Sequence, residues 1–195
     1  MREYDQIFDW YAEIRSREIG LPEIDAFLDT LSPGSRILDL GCGTGVPITE
    51  RLVQRGFEVY AIDGSARMVG SVRARFPRMS VEFARLQDSA FFNTTFDAVI
   101  CWGVLFHLEA DEQEDVIRRV AQMLSPDGKF LFTSGQMEGV IHDEMNGVPF
   151  RSVSLGAANY ARIIASAGLE LLHQHYDGWE NYVYISRKPG LAAEA

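Results

Sequence analysis

Two acids and a run of glycines carry the most chemistry in this chain. Apolar residues lead into Asp39, and glycine follows at every second position in Ile37-Leu38-Asp39-Leu40-Gly41-Cys42-Gly43-Thr44-Gly45. Glycine has no Cβ, so such a loop admits a close ligand and takes backbone angles that other residues resist. A helix-compatible segment, Val46 to Arg55, comes next. Its unpaired N–H groups and positive dipole end face the same loop, and Pro47 fits the first turn, where a missing N–H costs little. This is the shape of a nucleotide-binding first strand and turn. A second apolar strand, Val59-Tyr60-Ala61-Ile62, ends in Asp63, about 20 residues beyond the glycines, the spacing at which an acid meets a ribose diol. A carboxylate accepts two O–H donors at once. An Asp here also serves as the N-cap of a helix over 65–76.

The dinucleotide pattern G-x-G-x-x-G needs glycine at 46, where Val46 stands. The run reads acidic-x-G-x-G-x-G instead, and it resembles the first motif of class I S-adenosylmethionine (AdoMet) methyltransferases. The resemblance extends to about Lys188. It implies that Asp39 attracts the methionine ammonium, that Asp63 takes the ribose, and that Gly64, Ser65 and Met68 lie beside adenine. A carboxylate past the third strand accepts the adenine amino group in that family; Asp88 fits best, with Gln87 next, although an Asp there also closes Asx turns. Many small-molecule members begin with a Tyr-Asp pair and a further aromatic pair that fold over the cofactor as a lid. Here those are Tyr4-Asp5 and Trp10-Tyr11, with the Tyr4 hydroxyl near the AdoMet carboxylate; half-buried packing is the other use of such tyrosines. The implied cofactor set is Tyr4, Tyr11, Asp39, Gly41, Cys42, Gly43, Asp63, Gly64, Met68, Gln87, Asp88, Cys101 and Trp102. The cofactor is AdoMet and the product S-adenosyl-L-homocysteine.

Those residues need a scaffold, and the chain alternates strand and helix to supply it. Strands are expected at 36–40, 58–63, 81–84, 98–102 and 129–133, and helices at 46–54, 66–76, 112–124 and 159–167. Such alternation implies parallel pairing with right-handed crossovers. Strands at 169–176 and 182–187, joined by a short turn, form a closing antiparallel hairpin. The expectation is a Rossmann-like α/β fold with the seven-stranded methyltransferase sheet, order 3-2-1-4-5-7-6, strand 7 antiparallel. Apolar spacing broken near Gly20 predicts two helices before the first strand. We expect one methyltransferase domain over 1–195: an N-terminal helical lid at 1–32, a core at 33–188 and a frayed tail at 189–195.

Composition narrows the partners. The 195 residues are 47% hydrophobic and 24% charged, ordinary for a soluble globule. Eighteen basic residues face 28 acidic ones, a net charge of −10, which argues against nucleic acid. After the fourth strand, Cys101-Trp102-Gly103-Val104 stands where nucleobase methyltransferases of this superfamily carry Asn or Asp before Pro-Pro. No stretch reaches membrane-spanning length, and residues 1–5 lack a signal-peptide layout, so a cytoplasmic protein is expected, as monomer or homodimer. Cys42 and Cys101 are expected as free thiols lining a site.

The acceptor side is read from position. The fourth strand leads into Trp102-Gly103-Val104-Leu105-Phe106-His107, beyond the carboxyl ends where ligands sit. His107 is the candidate general base, since its ordinary pKa lies near neutrality; a turn-supporting histidine is the alternative. The segment 135–155 reads as a long loop containing His142, Phe150 and Arg151, and such loops are commonly functional. With Phe106 and the hairpin-tip residues Trp179, Asn181 and Tyr182, these form the candidate pocket for a small organic acceptor. His173 and His175 share a strand face without a carboxylate or thiol partner, so no metal is expected. Two other classes remain open: an NAD-dependent oxidoreductase, disfavoured by Val46, and a non-catalytic AdoMet-fold binding protein.

Overall fold

The computed structural model describes residues 2–190; Met1 and the tail residues Leu191–Ala195, expected to fray, lie outside the described residues. Three short helices lead the chain: α1 (Arg2–Gln6), α2 (Phe8–Ile14) and α3 (Leu21–Leu28). Two were expected. The extra break falls at Ile7, where the chain turns and buries that side chain to 1% exposure.

Strand and helix then alternate through β1 (Arg36–Leu40), α4 (Ile48–Gln54), β2 (Glu58–Asp63), α5 (Ala66–Arg75), β3 (Ser80–Phe83), β4 (Phe96–Cys101), α6 (Ala110–Met123) and β5 (Leu124–Ser134). A ribbon of β6 (Glu138–Met145) and β7 (Val148–Leu155) follows, then α7 (Ala157–Ser166), β8 (Glu170–Tyr176) and β9 (Tyr182–Arg187). The main sheet has seven strands in the order β3-β2-β1-β4-β5-β9-β8. Strands β1 to β5 pair in parallel, and β9 runs antiparallel to both β5 and β8. This is the expected order, with β8 and β9 as the sixth and seventh strands of the sheet.

The central strands form because both faces can be covered. Ile37, Leu38, Leu40 and the run Ala98–Cys101 are 0% exposed, so they read as continuous apolar segments. On one face Leu38, Val99, Phe130 and Phe132 pack with Val116, Ile117 and Val120 of α6 and Tyr160 and Ile164 of α7. On the other, Ile37, Ala98, Ile100 and Leu131 pack with Ile24, Phe27 and Leu28 of α3 and Leu52 of α4. Two acids open α6: the Glu112 carboxylate accepts the Glu109 N–H at 3.0 Å, the back half of a capping box. Helix α5 begins at Ser65, whose hydroxyl accepts the Met68 N–H at 3.2 Å. That cap belongs to Ser65, not to Asp63.

The segment 135–155 is not a loop. Strands β6 and β7 pair from Glu138↔Leu155 to Met145↔Val148, turning through Asn146 and Gly147 at φ 49° and 77°. Two residues at positive φ make the tight hairpin turn that Asn-Gly favours. Nearly all of β6 is exposed, so no buried face writes alternation into its sequence. The ribbon is pinned from below. Gln113 of α6, 0% exposed, donates to the Val153 and Leu108 carbonyls at 2.9 Å and accepts the Tyr160 hydroxyl at 2.5 Å. That oxygen lies 2.6 Å from the Ser134 hydroxyl.

Candidate active site

The loops after β1, β2 and β4 open at one edge of the sheet and surround two adjoining cavities. The inner one, about 40 Å³, is lined by Asp39, the Gly41–Thr44 loop, Asp63, Met68 and Trp102, with Tyr4, Tyr11 and Arg15 closing it from α1 and α2. The outer one, about 700 Å³, is lined by Gly64, Gln87, His107, Glu109, Phe150 and Arg151 among others. Tyr4, Gly41 and Val104 border both.

Asp39 is 2% exposed and accepts the Thr49 hydroxyl at 2.6 Å. Burial pushes its pKa up to about 7, the Thr49 hydrogen bond opposes this, and the Asp63 charge adds to it. Asp63 is 3% exposed. One of its oxygens accepts the Gly43 N–H at 2.9 Å and the other the Ser65 N–H at 2.8 Å. Burial raises its pKa, and those two N–H groups pull it back. Asp63 therefore ties the glycine loop to the start of α5. Each oxygen keeps a lone pair for a diol.

This donor set fits the methionine and ribose ends of AdoMet. Two buried carboxylates share one chamber, and a ligand ammonium would relieve their mutual repulsion. Gly41 and Gly43 serve differently. Both have positive φ, +75° and +55°; a Cβ on Gly41 would lie 2.2 Å from the Val104 side chain, whereas one on Gly43 would meet nothing within 4 Å. Gly41 permits packing. Gly43 keeps its side of the loop open.

His107 follows β4 in a single 3₁₀ turn, Leu105–His107. Its Nε2 lies 3.1 Å from the Tyr4 hydroxyl, and its ring also hydrogen-bonds the Arg151 backbone. Burial lowers its pKa below 6.5, against the upward pull of that backbone bond and of the Glu3 charge. The imidazole is thus neutral at pH 7. Burial also raises the Tyr4 phenol well above its ordinary value, so that hydroxyl keeps its proton. Rings of Tyr11, His107 and Phe150 stand 5.3, 5.6 and 5.0 Å from the Tyr4 ring.

The inner cavity collects Tyr4, Tyr11, Asp39, Gly41, Cys42, Gly43, Asp63, Met68 and Trp102. The outer collects Gly64, Gln87, His107, Phe150 and Arg151. Other candidates fall elsewhere. Asp88 is exposed, its carboxylate 4.0 Å from Arg85. Cys101 is 0% exposed inside the core beneath the loop. Phe106 leans on His107 at 4.7 Å without lining either cavity. His142 stands on exposed β6. The 177–181 turn does reach the carboxyl edge, since Tyr182 pairs with Ser134, but it is held to itself. Asn181 bonds Asp177, Tyr182 packs between Tyr176 and Tyr184, and Trp179 is 46% exposed. His175 pairs with Glu23 at 3.1 Å. Both cysteines are free. Among the described residues, no three His, Cys, Asp or Glu side chains could jointly hold a metal ion.

Sequence reasoning missed Arg15, Glu109 and Glu112. Arg15 follows Tyr11 by four residues, the spacing of neighbours on one helical face. Glu112 holds the Gln87 amide at 2.9 Å, and Glu109 pairs with Arg151.

A family model described as a methyltransferase domain matches residues 37–128. Methyltransferase GfsG of Streptomyces halstedii is 24% identical over 155 residues, 73% of this chain and 55% of that protein. The CcbJ methyltransferase of Streptomyces caelestis superposes with a TM-score of 0.78 at 20% identity, covering 96% of this chain and 98% of that one. The AdoMet-bound amino pentose methyltransferase CalS10 of Micromonospora echinaspora gives 0.72 at 17% identity, over 92% and 94% of the two chains. The chain spans about half the length of the curated relatives it matches. Strand order and the glycine loop between two strand-end acids define a Rossmann-like methyltransferase fold. Residues 37–128 are similar to a methyltransferase domain, and the chain shares its fold with solved AdoMet-dependent methyltransferases.

Proposed function

We propose that the protein methylates a small organic acceptor, with AdoMet between Asp39 and Asp63 and the acceptor in the outer cavity. The observation that carries this is the shared border: Tyr4, Gly41 and Val104 face both cavities. Bound AdoMet supplies a methyl group on a sulfonium, already activated for in-line displacement. The chain's residues bind, align and exclude water. Asp63 and the Gly43 backbone hold the ribose end, and Asp39 the ammonium. Gly64 and Gln87 line the outer cavity, on the side the resemblance gives to adenine.

Alignment supplies much of the rate in such a transfer. The inner cavity, about 40 Å³ with Tyr4 and Tyr11 in place, has room for a few water molecules but not for a ligand the size of AdoMet. Helices α1 and α2 therefore form a lid that shifts to admit a ligand and recloses over it. His107, neutral at pH 7, takes the proton from a hydroxyl or amine acceptor at Nε2, the nitrogen that now faces the Tyr4 hydroxyl. No step requires a metal. The acceptor is a small molecule rather than nucleic acid, as the net charge of −10 favours. The amino pentose acted on by CalS10 is one chemical class to try first. No helix among the described residues is long and apolar enough to cross a membrane; we place the protein in the cytoplasm, as monomer or homodimer.

The test is acceptor-dependent formation of S-adenosylhomocysteine from AdoMet across a panel of amino sugars, phenols and secondary alcohols. A product carrying the labelled methyl group is expected. Tight cofactor binding with no transfer across the panel would favour a binding protein instead.

A further inference from the structure

We propose that Gln113 is the positioning residue for His107: its amide holds the outer edge of β7 against the turn after β4, and so fixes which ring nitrogen of His107 carries the proton. This assignment rests on the reading of His107 as the base. Strand β7 pairs with β6 along one edge, and among the described residues no strand pairs with its other edge. Backbone groups along a strand alternate in direction, so residues 151, 153 and 155 present theirs to the same side. Side chains meet all three. The His107 ring hydrogen-bonds the Arg151 backbone. The Gln113 amide donates to the Val153 carbonyl at 2.9 Å, and the Tyr160 hydroxyl accepts the Leu155 N–H at 3.3 Å.

Gln113 is the fixed point of this series. It is 0% exposed. Its amide nitrogen also donates to the Leu108 carbonyl at 2.9 Å, and Leu108 directly follows His107. Its oxygen accepts the Tyr160 hydroxyl at 2.5 Å, so both donors and the acceptor are engaged. One amide thus spans the turn that carries His107 and the strand that carries Arg151. An apolar side chain there would leave two carbonyls unpaired, and Val153 is only 7% exposed. The consequence falls on His107. Its Nε2 faces the Tyr4 hydroxyl at 3.1 Å. The Arg151 bond favours the protonated ring, so the ring donates there, and Nδ1 is the nitrogen left to do so. A neutral imidazole has a single N–H. With that proton on Nδ1, Nε2 keeps the lone pair a base needs; the other tautomer would disable it. Gln113 lines neither cavity, so it acts only through the placement of His107.

The test is nitrogen NMR of the isotope-labelled His107 imidazole at neutral pH, in wild type, Gln113→Met, Gln113→Glu, Tyr160→Phe and Ile185→Ala, with melting temperatures to show which variants fold. Wild type should show one tautomer, with the proton on Nδ1. Gln113→Met and Gln113→Glu remove both donors and should lose that single signature for a mixture. Tyr160→Phe keeps both donors and should retain it. Ile185→Ala empties part of the core on the opposite face of the sheet; it should melt at a lower temperature with the tautomer unchanged. Calorimetric titration with S-adenosylhomocysteine should give the same affinity in wild type and both Gln113 variants. A wild-type proton on Nε2 would overturn the assignment, whichever variants fold. So would an unchanged tautomer in a folded Gln113 variant. An equal mixture in Tyr160→Phe or Ile185→Ala would overturn it too, because general loosening would then explain the change. Failure of wild type to bind S-adenosylhomocysteine would overturn the cofactor reading and leave the tautomer result standing.

Discussion

The Tyr4 hydroxyl lies 3.1 Å from His107 Nε2, across 103 residues of chain. The bond joins α1 to the turn after β4, so a side chain that lines the inner cavity also touches the candidate base. His107→Gln should lower turnover by roughly a hundredfold while S-adenosylhomocysteine affinity stays within a few fold. Tyr4→Phe keeps the ring contacts and removes one hydrogen bond, a smaller effect of about 0.5–1.5 kcal/mol. Equal losses in binding and turnover for His107→Gln would make it a positioning residue; no loss would leave alignment alone as the mechanism.

The pH profile follows from the same ring. Burial holds His107 below its ordinary 6.5, so the proton-accepting form predominates at neutrality. Turnover should rise as pH climbs through a midpoint below 6.5 and then stay flat to about pH 8. A midpoint above 6.5 contradicts the burial argument.

Asp39 makes the opposite case. Its pKa rises from 3.8 to about 7 on folding, so the folded state holds this proton more tightly. Its contribution to stability is full below 3.8 and is lost as pH rises through about 7. Asp39→Asn should therefore stabilise the ligand-free protein at pH 8 by on the order of a few kcal/mol at most, seen as a higher melting temperature, while weakening cofactor binding. A lower melting temperature at pH 8 would show that the charge is compensated in the fold.

Gly41 and Gly43 separate packing from binding. Gly41→Ala drives a Cβ into Val104 at positive φ and should destabilise by about 1–3 kcal/mol. Adding Val104→Ala should recover part of that loss. Gly43→Val meets nothing within 4 Å at its Cβ but carries strain of about 1–3 kcal/mol at its positive φ; it should still fold and should abolish cofactor binding. Thermal melts and titrations on the same samples decide both.

Most of the frame was legible in the sequence. Leu38, Val99 and Phe130 lie in strands covered on both faces, and burial on both sides writes apolar runs that end visibly at Asp39, Asp63 and Cys101. The strand-end acids and glycines were legible for the same reason: their positions are fixed by backbone geometry. The ribbon was not, because exposed β6 carries no buried face; Asn146-Gly147 was its one local sign. Nor does the sequence show that Asp88 is exposed beside Arg85 or that the hairpin tip is bonded to itself. Which way a loop side chain turns depends on partners far along the chain, as Asn181 with Asp177 and Gln87 with Glu112 show.

The most direct test of the central claim is calorimetric titration of the purified protein and of Asp63→Ala with S-adenosylhomocysteine and NAD. Micromolar binding of S-adenosylhomocysteine is expected, with no detectable NAD binding and a loss of at least about tenfold in Asp63→Ala, equivalent to roughly 1.5–3 kcal/mol for one charge-assisted contact. Preference for NAD, or unchanged affinity in Asp63→Ala, would contradict a cofactor site between the two strand-end acids.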